Sequence, residues 1–149
     1  MIRPLTPQDL PDARRLYRTL TGEAPLGDAA AFEQVLAHPG TTIFGAQHQG
    51  HIVSMATLHL LPNMTFDARP YGLVENVATL RAHQGQGFGR AVMTHLADSA
   101  WAHNAYKLML LTGTELGARG FYEALGYNGD QKHAMILRRA PQRQPPPQD

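Results

Sequence analysis

The stretch that decides the fold is Gly72 to Ala102, GLVENVATLRAHQGQGFGRAVMTHLADSAWA. With Tyr71 before it, its first part to Leu80 is apolar and β-branched enough to predict a strand. From Gly87 to Ala102 the pattern changes period. Phe88, Val92, Leu96 and Ala100 fall on one helical stripe, with Met93, Ala97 and Trp101 beside it. Between strand and helix lies Gln84-Gly85-Gln86-Gly87-Phe88-Gly89, and beyond the helix Lys107 to Leu111 (KLMLL) reads as a continuous apolar strand. Strand, helix and strand in that order predict a right-handed crossover joining two parallel strands.

The six-residue turn carries the chemistry. The first N–H groups of a helix have no intrahelical partners, and a turn entering from a strand aims them at one point, an anion cradle. Glycines at alternate positions let the main chain approach a bulky phosphate without Cβ interference, and each amide bond to a charged oxygen is worth about 1.5–3 kcal/mol. Arg81 and Arg90 add positive charge nearby. Taken alone, such a turn reads equally well as a flexible connection whose glycines serve only backbone geometry. A dinucleotide cradle does not fit, because the third glycine comes one residue early and Leu108 to Leu111 offer no acid where one is needed, about 20 positions on. A P-loop does not fit either, for want of its Gly-Lys-Ser/Thr.

Outward from this centre, Met1 to Leu5 predicts a first strand. Asp9 reads as the N-cap of a helix running to about Leu20, with Leu10, Ala13, Leu16, Tyr17 and Leu20 inward and Gly22 ending it. Asp28 caps a shorter helix that the Pro39-Gly40 pair stops. Thr41 to Gln47 and His51 to Leu61, divided by a few polar residues and Gly50, predict an antiparallel hairpin. Pro62 to Pro70 (PNMTFDARP) reads as a large loop. Downstream, a short helix is expected over Ala118 to Leu125 and a last strand over Ala134 to Arg138. The tail from Ala140 (APQRQPPPQD) is expected to be disordered.

Composition narrows the function. The 149 residues suit one domain and one active site, and 43% hydrophobic against 17% charged residues argues for a globular chain. With no cysteine, disulfides, thiolate metal sites and cysteine nucleophiles drop out. The eight histidines are scattered, and only His48 and His51 are close, flanking the hairpin turn, so no metal is expected. His83, beside the glycine turn, reads as a bystander. A formal charge of +1 supplies no field for nucleic acid or an anionic membrane. Neither a signal-peptide succession nor a membrane-length apolar run is present, so the cytoplasm is the expected location.

Gln84, Gly87 and Gly89 match Q/R-x-x-G-x-G/A on a strand-to-helix turn. Together with GLVENVAT at 72–79 and ARGFYEALGY at 118–127, this resembles the GNAT superfamily of N-acetyltransferases over essentially residues 1 to 139. The resemblance implies one α/β (α+β) domain over residues 1–139. Its GNAT fold is a single mixed, mostly antiparallel twisted sheet flanked by about four helices, with a β-α-β core for acyl-CoA. It also implies acetyl-CoA as cosubstrate, with the diphosphate on Gln84, Gly85, Gln86, Gly87, Phe88, Gly89 and Arg90. The pantetheine arm would pair like a strand with main-chain groups of Val77, Ala78 and Thr79. Tyr122 matches the tyrosine that bonds the CoA sulfur and protonates it on leaving, and Tyr127 reads as structural. Where the family often carries an asparagine seven residues before that tyrosine, this chain has Glu115. Dimerisation, common in similar proteins, is expected as a homodimer.

Glu75 also stands out from the residues alone. It interrupts an apolar strand two positions before Val77, where a carboxylate is costly to bury unless paired or functional. A lysine-like amine is neutral in only about one molecule in a thousand near pH 7, so a base helps, and similar enzymes use a glutamate hereabouts. The plain alternatives are a solvent-facing or arginine-paired Glu75, ordinary sheet pairing for residues 77–79, and a core-packed Tyr122. The expected function is therefore acetyl transfer to an amine of a small molecule or peptide by direct attack. A non-catalytic acyl-CoA-binding module is the alternative class, and an alcohol acceptor or longer acyl chain a variant of the first.

Overall fold

The computed structural model describes residues 1–139, and the expected disordered tail lies outside the described residues. The chain divides into two compact units, Met1–Leu110 and the part from Leu111 onward. The first holds β1 (Ile2–Pro4), α1 (Leu10–Thr21), α2 (Ala29–Ala37), β2 (Thr41–His48), β3 (His51–Leu61), α3 (Thr65–Ala68), β4 (Tyr71–Thr79), α4 (Phe88–Ala102) and β5 (Leu108–Leu110). They form one mixed sheet in the order β1-β2-β3-β4-β5. The first three pairings are antiparallel and β4 with β5 is parallel, the expected crossover through α4.

The hairpin between β2 and β3 is as tight as two residues allow. Gln49 and Gly50 both take positive φ, 48° and 83°, the backbone that matches the twist of the flanking strands. Side-chain alternation then sends Ile43 and Met55 to one face, where Ala13 and Leu16 of α1 and Phe32 of α2 cover them with Ala78 of β4. Phe44 points the other way, its ring 5.2 Å from that of His95 on α4. On that second face Val92, Met93, Leu96 and Ala100 are buried, whereas Trp101, at the end of the expected stripe, is 49% exposed.

Asp9 stands at the N-cap position of α1, as expected, but its side chain makes no capping bond to the helix. Its carboxylate takes both guanidinium nitrogens of Arg3 at 2.8 Å and the Thr6 N–H at 2.8 Å, tying β1 to the short 3-10 turn Pro7–Asp9. The Arg3 hydrogen bonds, helped by Thr6 and opposed by burial, hold its pKa down from 3.8 to about 2. A depressed carboxylate contributes stability above its unfolded pKa and loses it as the pH falls through the folded one. Asp9→Asn is therefore expected to cost about 1–2 kcal/mol at pH 7. In melts taken at successively lower pH, that difference should shrink below about pH 4 and vanish near pH 2.

The large loop at 62–70 contains the four-residue turn α3, in which Phe66, Asp67 and Ala68 all have left-handed φ between 54° and 59°. Each such residue costs about 1–2 kcal/mol. Contacts oppose the strain: Phe66 stacks on Tyr106 at 4.3 Å, and Arg69 donates to the carbonyls of Asn104 and Ala105 at 3.2 and 3.1 Å.

In the second unit, α5 spans only Arg119–Glu123 of the expected Ala118 to Leu125, with Gly117 and Gly126 at φ 62° and 93° on either side. Arg119 bridges Glu123 and Asp130 in exposed ion pairs of small energetic weight. The expected strand at 134–138 does not form. Residues 133–138 have no regular structure, and Met135, Ile136 and Leu137 are 92%, 58% and 102% exposed. A short apolar run becomes a strand only when a neighbouring strand supplies its hydrogen bonds, and this run has none among the described residues.

Candidate active site

The site begins where two strands part. β4 has nine residues and β5 three, and they pair only over Gly72↔Leu108, Leu73↔Met109 and Val74↔Leu110. Past Val74, β4 keeps β3 as its neighbour on one side, and Glu75 to Thr79 form a free edge on the other among the described residues. A bulge sharpens the parting. Thr57 pairs with Glu75 and Met55 with Ala78, so Asn76 and Val77 together stand opposite Ala56. The extra residue is taken up at Asn76, whose φ is 52°, a conformation asparagine tolerates better than most residues. A strand edge with unpaired main-chain groups is a template for an extended ligand.

The free edge leads directly into the glycine turn. Ser54 Oγ donates to the Ala78 carbonyl at 3.0 Å and lies 2.8 Å from Thr79 Oγ1, which holds the end of β4 against β3. The 3-10 turn Arg81–His83 follows. The two glutamine side chains face back along the turn: Gln84 Nε2 donates to the Thr79 carbonyl at 3.2 Å and Gln86 Nε2 to the Ala82 carbonyl at 2.9 Å. They shape the loop, whose Gln84 N–H donates to the Arg81 carbonyl at 3.2 Å, and it leads into the first turn of α4, where a helix's own carbonyls supply no partner for its N–H groups. Gly85 and Gly87 have φ of 72° and 86°, and a Cβ on either would meet no protein atom within 4 Å. The protein therefore leaves that space open, and a β-carbon there would stand in the way of a ligand. Arg81 and Arg90 are both exposed beside it.

An open groove of about 440 Å³ also runs along α4, lined by Arg90, Thr94, His95 and Asp98 with Ile2. Ile2 of β1 marks one end of this groove, and Gly87, which also lines it, places the other at the glycine turn.

Glu75 is half-buried and shares its face of the sheet with its register partner Thr57, the face that α1 covers. Tyr17 of α1 reaches the same place. Burial pushes its phenol pKa up, and contact with the Thr57 hydroxyl opposes that shift. Thr57 is 1% exposed and its Oγ1 has no well-formed hydrogen bond. Tyr17 and Thr57 thus join Glu75 as polar groups on one inner face, and neither stands out in the sequence. Tyr17 occupies an apolar helix position and Thr57 an ordinary strand position; the register between β3 and β4 sets Thr57 opposite Glu75, and the packing of α1 brings Tyr17 to Thr57.

Val77, Ala78 and Thr79 thus end β4, residues 84–90 follow them into α4, and Glu75 stands just before them on the same strand. Tyr122 stands on α5 in the second unit, its ring 5.1 Å from Phe121 and 6.1 Å from Tyr127. Burial, with the neighbouring Tyr122, pushes Tyr127 up to about 12, and its hydroxyl is buried without a partner, as suits a packed phenol that stays neutral. Among the described residues no group of histidines and carboxylates could hold a metal ion, and no helix is long and apolar enough to cross a membrane.

A mixed sheet split at a parallel pair, with a glycine-rich turn and a helix between the parted strands, defines an α/β fold. The acetyltransferase (GNAT) family model matches residues 9–127, and the chain belongs to that family. It is 28% identical over 139 residues to glucosamine 6-phosphate N-acetyltransferase of Trypanosoma brucei brucei, covering 91% of this chain and 93% of the relative. Among solved structures it resembles a putative acetyltransferase from Agrobacterium tumefaciens, with TM-score 0.87 and 40% identity over 93% of this chain and 99% of that one. A Trypanosoma brucei acetyltransferase superposes with TM-score 0.79 at 26% identity over 92% and 98%. The chain is accordingly an acetyltransferase.

Proposed function

We propose that this enzyme moves an acetyl group from acetyl-CoA to a primary amine of a small molecule or peptide by direct attack. The observation that carries the reading is the free edge of β4 running into an amide cradle whose Cβ positions are open. The amides at 85–90 hold the diphosphate, and Arg81 and Arg90 add charge. Val77, Ala78 and Thr79 offer main-chain partners to the amides of the pantetheine arm, which fixes the thioester carbonyl. Glu75 takes a proton from the ammonium so that the neutral nitrogen forms its bond to the carbonyl carbon. As the C–S bond breaks, Tyr122 supplies a proton to the departing thiolate, a transfer from the phenol O–H to the sulfur.

The relative's amino sugar phosphate is the first acceptor to try. Thiol release from acetyl-CoA against a panel of amino sugars and their phosphates, polyamines, aminoglycosides, amino acids and peptide N-termini tests class and acceptor together. Turnover with none of them, despite CoA binding, would favour the binding-module reading. Tyr122→Phe is expected to lower kcat by about 10²-fold while acetyl-CoA affinity changes little. An unchanged kcat would remove Tyr122 from the acid role. The exposed run Met135 to Leu137 supports a homodimer, a point that particle mass by light scattering decides.

A further inference from the structure

Three rings meet where the β2–β3 hairpin reaches the glycine turn. His48, the last residue of β2, lies 5.2 Å from Phe88 and 5.7 Å from His83, and His83 lies 5.9 Å from Phe88. All three pairs are tilted or edge-on, with interplanar angles of 60° to 69°. His83 closes the 3-10 turn and Phe88 opens α4, so the two bracket Gln84 to Gly87. His48 comes from a distant part of the chain and touches both ends of the turn.

His48 is itself well anchored. The N–H of Gln47 donates to the Met1 carbonyl at 2.8 Å, and Arg3 Nε donates to Gln47 Oε1 at 3.3 Å. Across the hairpin, Asp12 of α1 accepts from the Ile52 N–H at 2.9 Å and faces His51 Nδ1 at 3.4 Å. The turn has little support of its own. Gly85 and Gly87 have empty space at their Cβ positions, and its glutamines bond only to local carbonyls. A cradle ordered only when the anion arrives loses affinity to that ordering.

We propose that His48 is a positioning residue of the glycine turn: its ring, docked on Phe88 and His83, holds the turn's main-chain amides in the geometry that takes a diphosphate. The inference rests on the reading of that turn as the CoA site. His48 acts through its two neighbours and not as a base, so another ring of similar size should replace it.

The test is calorimetry with coenzyme A on the wild type, His48→Ala and His48→Phe. His48→Ala should weaken binding about tenfold, the loss of two ring contacts, while His48→Phe stays near the wild type. In turnover at saturating amine, His48→Ala should raise the KM for acetyl-CoA and leave kcat and the amine KM unchanged, and amides 84–90 should exchange faster in the ligand-free variant. If His48→Ala unfolds, His48→Leu keeps the bulk without the ring edge and should show the same loss. Wild-type affinity in the ring-less variants, or an equal loss in His48→Phe, overturns this inference alone. Failure of the wild type to bind coenzyme A overturns the site reading with it.

Discussion

Replacing Gly87 by valine is expected to raise the Kd for coenzyme A by about a hundredfold or more. Two effects add. The residue N-caps α4 at φ 86°, where a β-branched side chain is strained by about 1–2 kcal/mol and the backbone shifts to escape. The new side chain would also fill space that the protein leaves open beside the amides, whose bonds to a charged oxygen are worth about 1.5–3 kcal/mol each. The two effects separate experimentally. Strain lowers Tm by a few degrees whether or not ligand is present, while the loss of the cradle appears in calorimetry with coenzyme A. Gly87→Ala should fall between the wild type and Gly87→Val. Tight binding by Gly87→Val would mean that the nucleotide sits elsewhere.

Glu75→Gln is expected to lower kcat/KM for the amine by about 10²–10³-fold at pH 7, with coenzyme A affinity unchanged. The amide keeps the size of the side chain and one acceptor oxygen, puts a donor in place of the other and removes the base. The sign of the pH dependence follows from the acceptor. As the pH rises toward the amine's pKa, more of the acceptor arrives already neutral and needs no base, so the defect should narrow toward pH 9–10. A defect of constant size across the profile would mean that Glu75 orients the amine and does not deprotonate it. Thr57, the register partner of Glu75, stands on the same face of the sheet, with Tyr17 beside it.

The opposite case is Asp9, whose charge serves architecture alone. It lies at a predicted N-cap, yet its oxygens go to Arg3 and Thr6, because β1 brings a guanidinium within 2.8 Å and a bidentate charged pair outcompetes a capping bond.

What the sequence determined by itself was local. The glycine turn, the amphipathic α4 after it and the strand before it could be read because turn chemistry and side-chain period act over a few neighbouring residues. Gly50 and its polar neighbours likewise marked a hairpin, though not its register, which shifts between Ala46 and Gln47. The tertiary structure decided whatever depends on which strand lies beside which. The free edge of β4 exists because β5 stops at Leu110 and a bulge falls at Asn76. Thr57 stands opposite Glu75 through register, and His48 reaches Phe88 because the sheet places the end of β2, 40 residues upstream, beside the start of α4. The run at 134–138 has the pattern of a strand but stays irregular for the same reason. A strand's hydrogen bonds belong to its neighbour, and no pattern within one segment records who that neighbour is.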